Sequence, residues 1–208
     1  MTRIIKLDGS NKTEVIASVL KYLRQGKTVV YPTETFYGLG CDLENGRAVG
    51  KIYLIKGRER TKHLPFIAAS RAMAEKYVKF NVGAKRLAKK HWPGPLSLVL
   101  PATKPGRRIL GQASGGVRIS SNDFASALVK RLGRPLVSTS ANLADLPAAQ
   151  SARDVLKYFH GRKHAPDLIV DVGRLKKSKG STFIDLTGKE PKVLRQGDTK
   201  IKNLKLKI

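Results

Sequence analysis

Four short segments carry residue types whose spacing suits chemistry, and each points to the holding of anions. Pro32-Thr33-Glu34-Thr35-Phe36-Tyr37-Gly38-Leu39-Gly40 directly follows the β-rich run 28–31. Thr33 and Thr35 offer hydroxyls there, and the glycines permit close backbone approach to a ligand. Lys56-Gly57-Arg58 places two cations around a helix-ending glycine, with Arg60 and Lys62 close behind. Lysine serves phosphate as a point charge and arginine as a two-pronged fork; the same run also reads as solvated surface. Ser114-Gly115-Gly116-Val117-Arg118 sets an arginine on a strand just past a glycine pair, where it can clamp a carboxylate or a phosphate. Ser138-Thr139-Ser140-Ala141-Asn142 closes a strand with three hydroxyls and an amide. Strand ends are where open α/β sheets bind ligands.

Other chemistries lack their residues. The sequence has no G-x-x-x-x-G-K-[ST] phosphate loop, no G-x-S-x-G elbow and no His-rich metal pattern. Its histidines, at 63, 91, 160 and 164, are scattered. The one cysteine, Cys41, excludes a disulfide framework and a CxxC metal site and reads as a small buried residue. A hydrolase of the nucleophile–base type is poorly supported.

The elements that must position these residues alternate. Strands are expected at 3–7, 28–31, 65–69, 96–100, 117–119, 136–139, 168–172, 182–186 and 192–194. Helices are expected after Ser10 up to Gly26, and at 47–55, 71–78, 84–91, 124–132 and 154–159. The interleaving argues an α/β fold with a mixed sheet, in one domain over residues 1–208. Four stretches without formal charge, 35–41, 91–103, 109–117 and 135–144, read as loops that place hydroxyls and N–H groups, or as plain turns beside core strands. Trp92 in the second stretch reads as a core anchor rather than a stacking platform. Residues 201–208 alternate Lys with Ile and Leu, as an edge strand or a basic tail would.

Charge is the outlying feature of the 208-residue chain. Lys and Arg number 41 against 15 Asp and Glu, a formal net charge of +26. Such a protein attracts polyanions, which speaks to association and not to fold. No secretory signal is visible at residues 1–14, and no apolar run nears the ~20 residues of a membrane span. A cytoplasmic, non-membrane protein is expected.

The order YPTETFYGLG, IKGR, KHLPFIAA, WPGPLSLVL, GGVRI, STSAN, STFIDL and VLRQG, from about residue 3 to about 197, resembles the YrdC-like family of threonylcarbamoyl-adenylate synthases. The resemblance implies a twisted mixed parallel/antiparallel sheet with flanking helices around a basic concave cleft. It implies that L-threonine, bicarbonate and ATP yield threonylcarbamoyl-AMP and pyrophosphate, with Mg²⁺ on the ATP and no dedicated protein ligand for it. A partner transferase would then modify tRNA. Carried over, Thr33, Arg118 and Ser138 would contact threonine. Lys56 and Arg58 would be the catalytic phosphate-binding pair, followed by Lys62. Ser114, Ser140, Asn142, Ser181 and Arg195 would contact ATP. His63, Thr139, Asp145 and Ala148 depart from the residues usual in the family. The competing reading is a non-catalytic RNA- or ribosome-binding relative on the same scaffold, motivated by the basic stretches 85–90, 104–108 and 174–179.

Overall fold

A computed structural model describes residues 2–201; the expected edge strand or tail at 201–208 lies, but for Ile201, outside them. In chain order the elements are β1 (Arg3–Lys6), α1 (Lys12–Arg24), β2 (Val29–Pro32), β3 (Tyr37–Gly40), α2 (Gly46–Lys56), β4 (Phe66–Ile67), α3 (Arg71–Glu75), α4 (Val82–His91), β5 (Leu96–Pro101), α5 (Lys104–Leu110), β6 (Ser114–Arg118), α6 (Asp123–Leu132), β7 (Leu136–Val137), β8 (Thr139–Ser140), α7 (Ala152–Phe159), β9 (Leu168–Asp171), β10 (Thr182–Asp185) and β11 (Lys192–Arg195).

The strands form two mixed sheets rather than one. The first runs β1-β9-β2-β3-β8 and the second β11-β10-β5-β6-β4-β7. In the first sheet two parallel pairs (β1/β9, β9/β2) are followed by two antiparallel ones (β2/β3, β3/β8), and in the second parallel pairs (β10/β5, β4/β6) alternate with antiparallel ones (β10/β11, β5/β6, β4/β7). The expected strand 136–139 divides at Ser138. Val137 pairs with Phe66 in the second sheet, while Thr139 pairs with Leu39 in the first. The chain thus crosses between sheets at the run of hydroxyls, and this crossing anchors the site.

Local chemistry sets the boundaries. Asn45, Ser70, Asn81, Thr103, Asn122 and Ser151 each cap a helix by accepting from the backbone N–H three residues on. Gly57, in the left-handed conformation at φ 60°, stops α2 directly after Lys56 and turns Arg58 away from its axis. Ser10 is not the cap of α1; its N–H and Oγ both donate to the Asp8 carboxylate, and Asn11 precedes the helix. α3 stops at Glu75, short of the expected 78, because Val78 bridges to Ala102.

One group of buried side chains packs α1 and α6 on the first sheet: Val15, Ile16, Val19 and Leu23 meet Phe124, Leu128, Val129 and Leu168. A larger group joins residues of both sheets, Leu39 and Ile169 with Phe66, Leu98 and Val117. Trp92 is an anchor at its margin, with its Nε1 donating to Leu96 O at 2.7 Å. No helix among the described residues is long and apolar enough to cross a membrane.

Candidate active site

A cavity of about 310 Å³ opens where the two sheets meet, near the lower end of the range for small-molecule sites. The turn from β2 to β3 forms one wall through Thr33, Thr35 and Phe36. The crossing Ser138–Ser140 forms another with Arg118 and Phe66. The third is Ser97, Ser181, Phe183, Leu194 and Arg195, and Arg58, His63, Pro65 and Ala148 complete the lining. Three guanidinium groups thus face one space whose lining contains no carboxylate residue. Four segments far apart in sequence are brought to it because β2, β6 and β8 end there and β10 begins there.

Each cation is held differently. Arg118, 7% exposed, donates from Nη1 to Glu34 Oε1 at 2.6 Å, and Ser120 Oγ donates to the other carboxylate oxygen at 2.5 Å. Arg195 donates from Nε and Nη2 to Ser181 O at 3.0 and 2.7 Å and lies over the Phe183 ring at 4.8 Å. Burial, and then the charge of Arg118, lower the pKa of Arg195. The two cations therefore repel across the cavity, which an anion between them would relieve. Arg58 donates from Nη2 to His63 O at 3.2 Å, while its buried Nε has no partner among the described residues. A buried donor left unpaired costs about 1–3 kcal/mol until a ligand satisfies it.

Of the residues singled out in the sequence, Thr33, Arg58, Arg118, Ser138, Ser140, Ser181 and Arg195 line the cavity. Lys56, Asn142, Lys62 and Ser114 do not. Lys56 lies behind the wall with its Nζ donating to Ser140 O at 2.7 Å, Asn142 O at 2.9 Å and Asn142 Oδ1 at 3.2 Å. Burial, and then Arg58, lower its pKa to about 8. Three acceptors use all three ammonium protons, so the lysine ties down the strand end that carries Ser140. Asn142 completes that tie by donating from Nδ2 to Leu146 O. Lys62 is exposed. Ser114 meets the rim through its carbonyl, 3.2 Å from His63 Nδ1. The Thr33 hydroxyl donates to Phe36 O at 2.6 Å and accepts from the Thr35 and Phe36 N–H groups at 3.2 Å, so it shapes the turn from within.

Sequence reasoning gave no role to Glu34, Ser97, Phe36 or Phe183. The signal for Glu34 was an acid, rare in this chain, between two hydroxyl residues; its partner lies 84 positions away. Among the departures, Asp145 holds φ 63°, the left-handed region that glycine adopts freely. Ala148 is on the cavity wall with no hydroxyl to offer.

The profile of the Sua5/YciO/YrdC family, described as telomere recombination, matches residues 21–197. The chain belongs to this family. A threonylcarbamoyl-AMP synthase of Pyrococcus abyssi is 36% identical over 200 residues, covering 95% of this chain and 58% of that protein. One from Thiobacillus denitrificans is 35% identical over 172 residues, covering 81% of this chain and 89% of its own. The crystal structure of P. abyssi Sua5 complexed with L-threonine superposes with a TM-score of 0.84 at 33% identity, over 95% of this chain and 57% of that one. The chain thus spans little more than half the length of its P. abyssi relative, and most of the Thiobacillus one. The mixed α/β sheets with flanking helices are those of the family.

Proposed function

We propose that this protein is a threonylcarbamoyl-AMP synthase, joining L-threonine, bicarbonate and ATP with release of pyrophosphate, in the cytoplasm and for tRNA modification. The observation that carries this reading is the trio Arg58, Arg118 and Arg195 on one cavity without a carboxylate on its wall. Threonine carboxylate, bicarbonate and triphosphate are all anions, and bringing them to contact requires fixed cations. The names of the relatives supply the substrate class.

Arg118, aimed by Glu34, takes the threonine carboxylate beside the Thr33–Phe36 turn. The threonine amine attacks the bicarbonate carbon, water leaves, and a carbamate forms. A carbamate oxygen then attacks the α-phosphorus of ATP, and the bond to the departing pyrophosphate breaks. Arg58 and Arg195 stabilise the charge on the phosphates, with Ser138, Ser140 and Ser181 as hydroxyl donors. Positioning and charge neutralisation do this work, so the lack of a His–carboxylate pair on the wall is no obstacle. Lys56 and Asn142 hold the Ser140 strand end rather than the nucleotide. No group of three or more His, Cys, Asp or Glu among the described residues suits a metal ion. Mg²⁺ is expected to arrive on the ATP as part of the substrate, and no step is assigned to it.

Thermal-shift measurements with ATP, with threonine and with both test the reading. A ligand that binds only the folded state stabilises it by an amount that grows with the logarithm of its concentration over Kd. The combination is expected to raise Tm beyond the sum of the separate shifts. No shift with threonine at millimolar concentration, alone or with ATP, would overturn it.

A further inference from the structure

The cavity wall is poor in groups that trade protons near neutral pH. Its guanidinium groups and its serine and threonine hydroxyls keep theirs. The Tyr37 phenol, pushed up to about 12 by burial, donates to Gly173 O at 2.6 Å. Lys56 lies behind the wall with its three protons engaged. His63 differs from all of these. It is exposed and lines the cavity, and imidazole is the side chain that ordinarily changes charge between about pH 5 and 8. Its main-chain carbonyl accepts from Arg58 Nη2 at 3.2 Å, so the ring is mounted on the residue bonded to that guanidinium. On its other side, Nδ1 lies 3.2 Å from Ser114 O. A carbonyl oxygen only accepts, so Nδ1 carries a hydrogen and Nε2 is the nitrogen left to gain and lose a proton. Nε2 has no hydrogen bond to the protein among the described residues. His63 also departs from the residue usual in the family, so the ring belongs to this chain and not to the shared machinery.

We propose that His63 is the acid that gives the departing pyrophosphate its proton, a role that rests on the reading of the cavity as the adenylate-forming site. As the carbamate oxygen bonds to the α-phosphorus, the bond from that phosphorus to the bridging oxygen breaks, and its electron pair stays on the oxygen. The proton on Nε2 passes to the pyrophosphate, and the ring becomes neutral. It takes a proton back from water, to which it is exposed. Protons balance, because threonine ammonium and bicarbonate give carbamate, water and one proton, and pyrophosphate takes one up. General acids work best when their proton leaves and returns readily at the working pH, as that of imidazole does. The charged groups around the ring are Arg58, Glu59, Arg60 and Lys62 of its own loop, and Arg118 and Arg195 on the cavity. Gln112 and Ser114, which bond this loop from the start of β6 and the turn before it, carry no charge. A triphosphate among these cations brings the negative charge that favours the protonated ring. Taking the proton of the threonine ammonium suits this residue less well. The proposed seat of threonine is Arg118 and the Thr33–Phe36 turn, whereas His63 is bonded to Arg58.

The test compares the parent with His63→Asn and His63→Gln, each checked for an unchanged melting curve. The asparagine amide can still donate to Ser114 O and the glutamine amide to a phosphate, but neither gives up a proton. With ATP, L-threonine and bicarbonate, single-turnover adenylate formation near pH 7 should fall on the order of 10²-fold in both variants. That ratio of parent to variant should shrink as pH rises toward about 9 and the ring loses its proton. An ATP analogue with difluoromethylene between the β- and γ-phosphorus gives a less basic leaving group, so with it the loss should shrink to about tenfold. A parent-like rate in His63→Asn makes the residue a tether to Ser114 and overturns the proposal. A parent-like rate in His63→Gln makes it a hydrogen-bond donor only and overturns it too. So does a loss that is the same at every pH, or the same with ATP and with the analogue. No adenylate from the parent breaks the reading of the cavity and the role of His63 together, whereas active variants sink that role alone.

Discussion

The Glu34–Arg118 pair is the most exposed part of the account to a quantitative test. Its side chains are 13% and 9% exposed and meet at 2.6 Å. At an effective dielectric near 20, two unit charges about 4 Å apart attract by about 4 kcal/mol. Truncating one partner leaves the other charge buried and unpaired, which costs about 3–5 kcal/mol. In Glu34→Ala the stranded charge is Arg118, already repelled by Arg195. For a chain of this size each kcal/mol moves Tm by about 2–4 °C, so Glu34→Ala should melt on the order of 10 °C lower. Arg118→Met should also destabilise, by less, because the Ser120 hydroxyl still donates to the Glu34 carboxylate. The double variant strands neither charge. Urea denaturation of all four proteins should give a coupling energy of about 2–4 kcal/mol, with the double variant well short of the summed losses. A coupling below ~0.5 kcal/mol would refute the claim that the wall is built on a buried ion pair.

Other expectations follow from the same geometry. The pKa of Lys56 is lowered to about 8 in the folded chain against an ordinary lysine value of 10.5. The unfolded chain therefore holds the extra proton between those values, and this lysine makes stability rise with pH across that window. Denaturant midpoints at pH 7.5 and 9.5 should show the rise in the parent and a smaller one in Lys56→Met; equal changes would contradict the placement of Lys56. Arg195→Ala removes a side chain held at the cavity rim by Ser181 and the Phe183 ring, so steady-state kinetics should show kcat/KM for ATP falling on the order of 10²-fold. Its Tm should move less than 3 °C, and a larger fall would make Arg195 a structural residue. Gly40→Ala would put a Cβ 2.1 Å from Val137 O and 2.9 Å from the Tyr31 ring. A loss of at least 3 kcal/mol, or no soluble protein, is expected from this backbone clash, and a normal melting curve would refute the sheet packing described.

Much of the frame was legible because it rests on local signals. The αL glycine after Lys56 and the buried runs 29–32, 96–101 and 168–171 all follow from neighbouring residues, whereas Ser10, the one N-cap expected, bonds the Asp8 carboxylate instead. The sequence of 37–40 reads as loop, since two glycines in four residues mask a strand. Gly40 is needed because β3 passes tightly over Val137 and Tyr31, and not to admit a ligand. The run 104–108 reads in the sequence only as basic, although Thr103 accepting from Gly106 N, with Pro105 in the first turn, is a helix start. The division at Ser138 could not be read locally, because which sheet takes a residue is decided by partners about 70 to 100 positions away. The cationic members of the site were legible by type. Their arrangement was not: the turn of α2 places Arg58 on the cavity and Lys56 behind it, and Glu34 gains its role only when β6 brings Arg118 beside the β2–β3 turn.

The central claim is that one cavity assembles three anions into an adenylate. Pyrophosphate release, measured with ATP, L-threonine and bicarbonate and with each omitted in turn, tests it most directly. Release should require all three and be abolished in Arg58→Ala at an unchanged melting temperature. Release indifferent to threonine or to bicarbonate, or none from the intact protein, would contradict it.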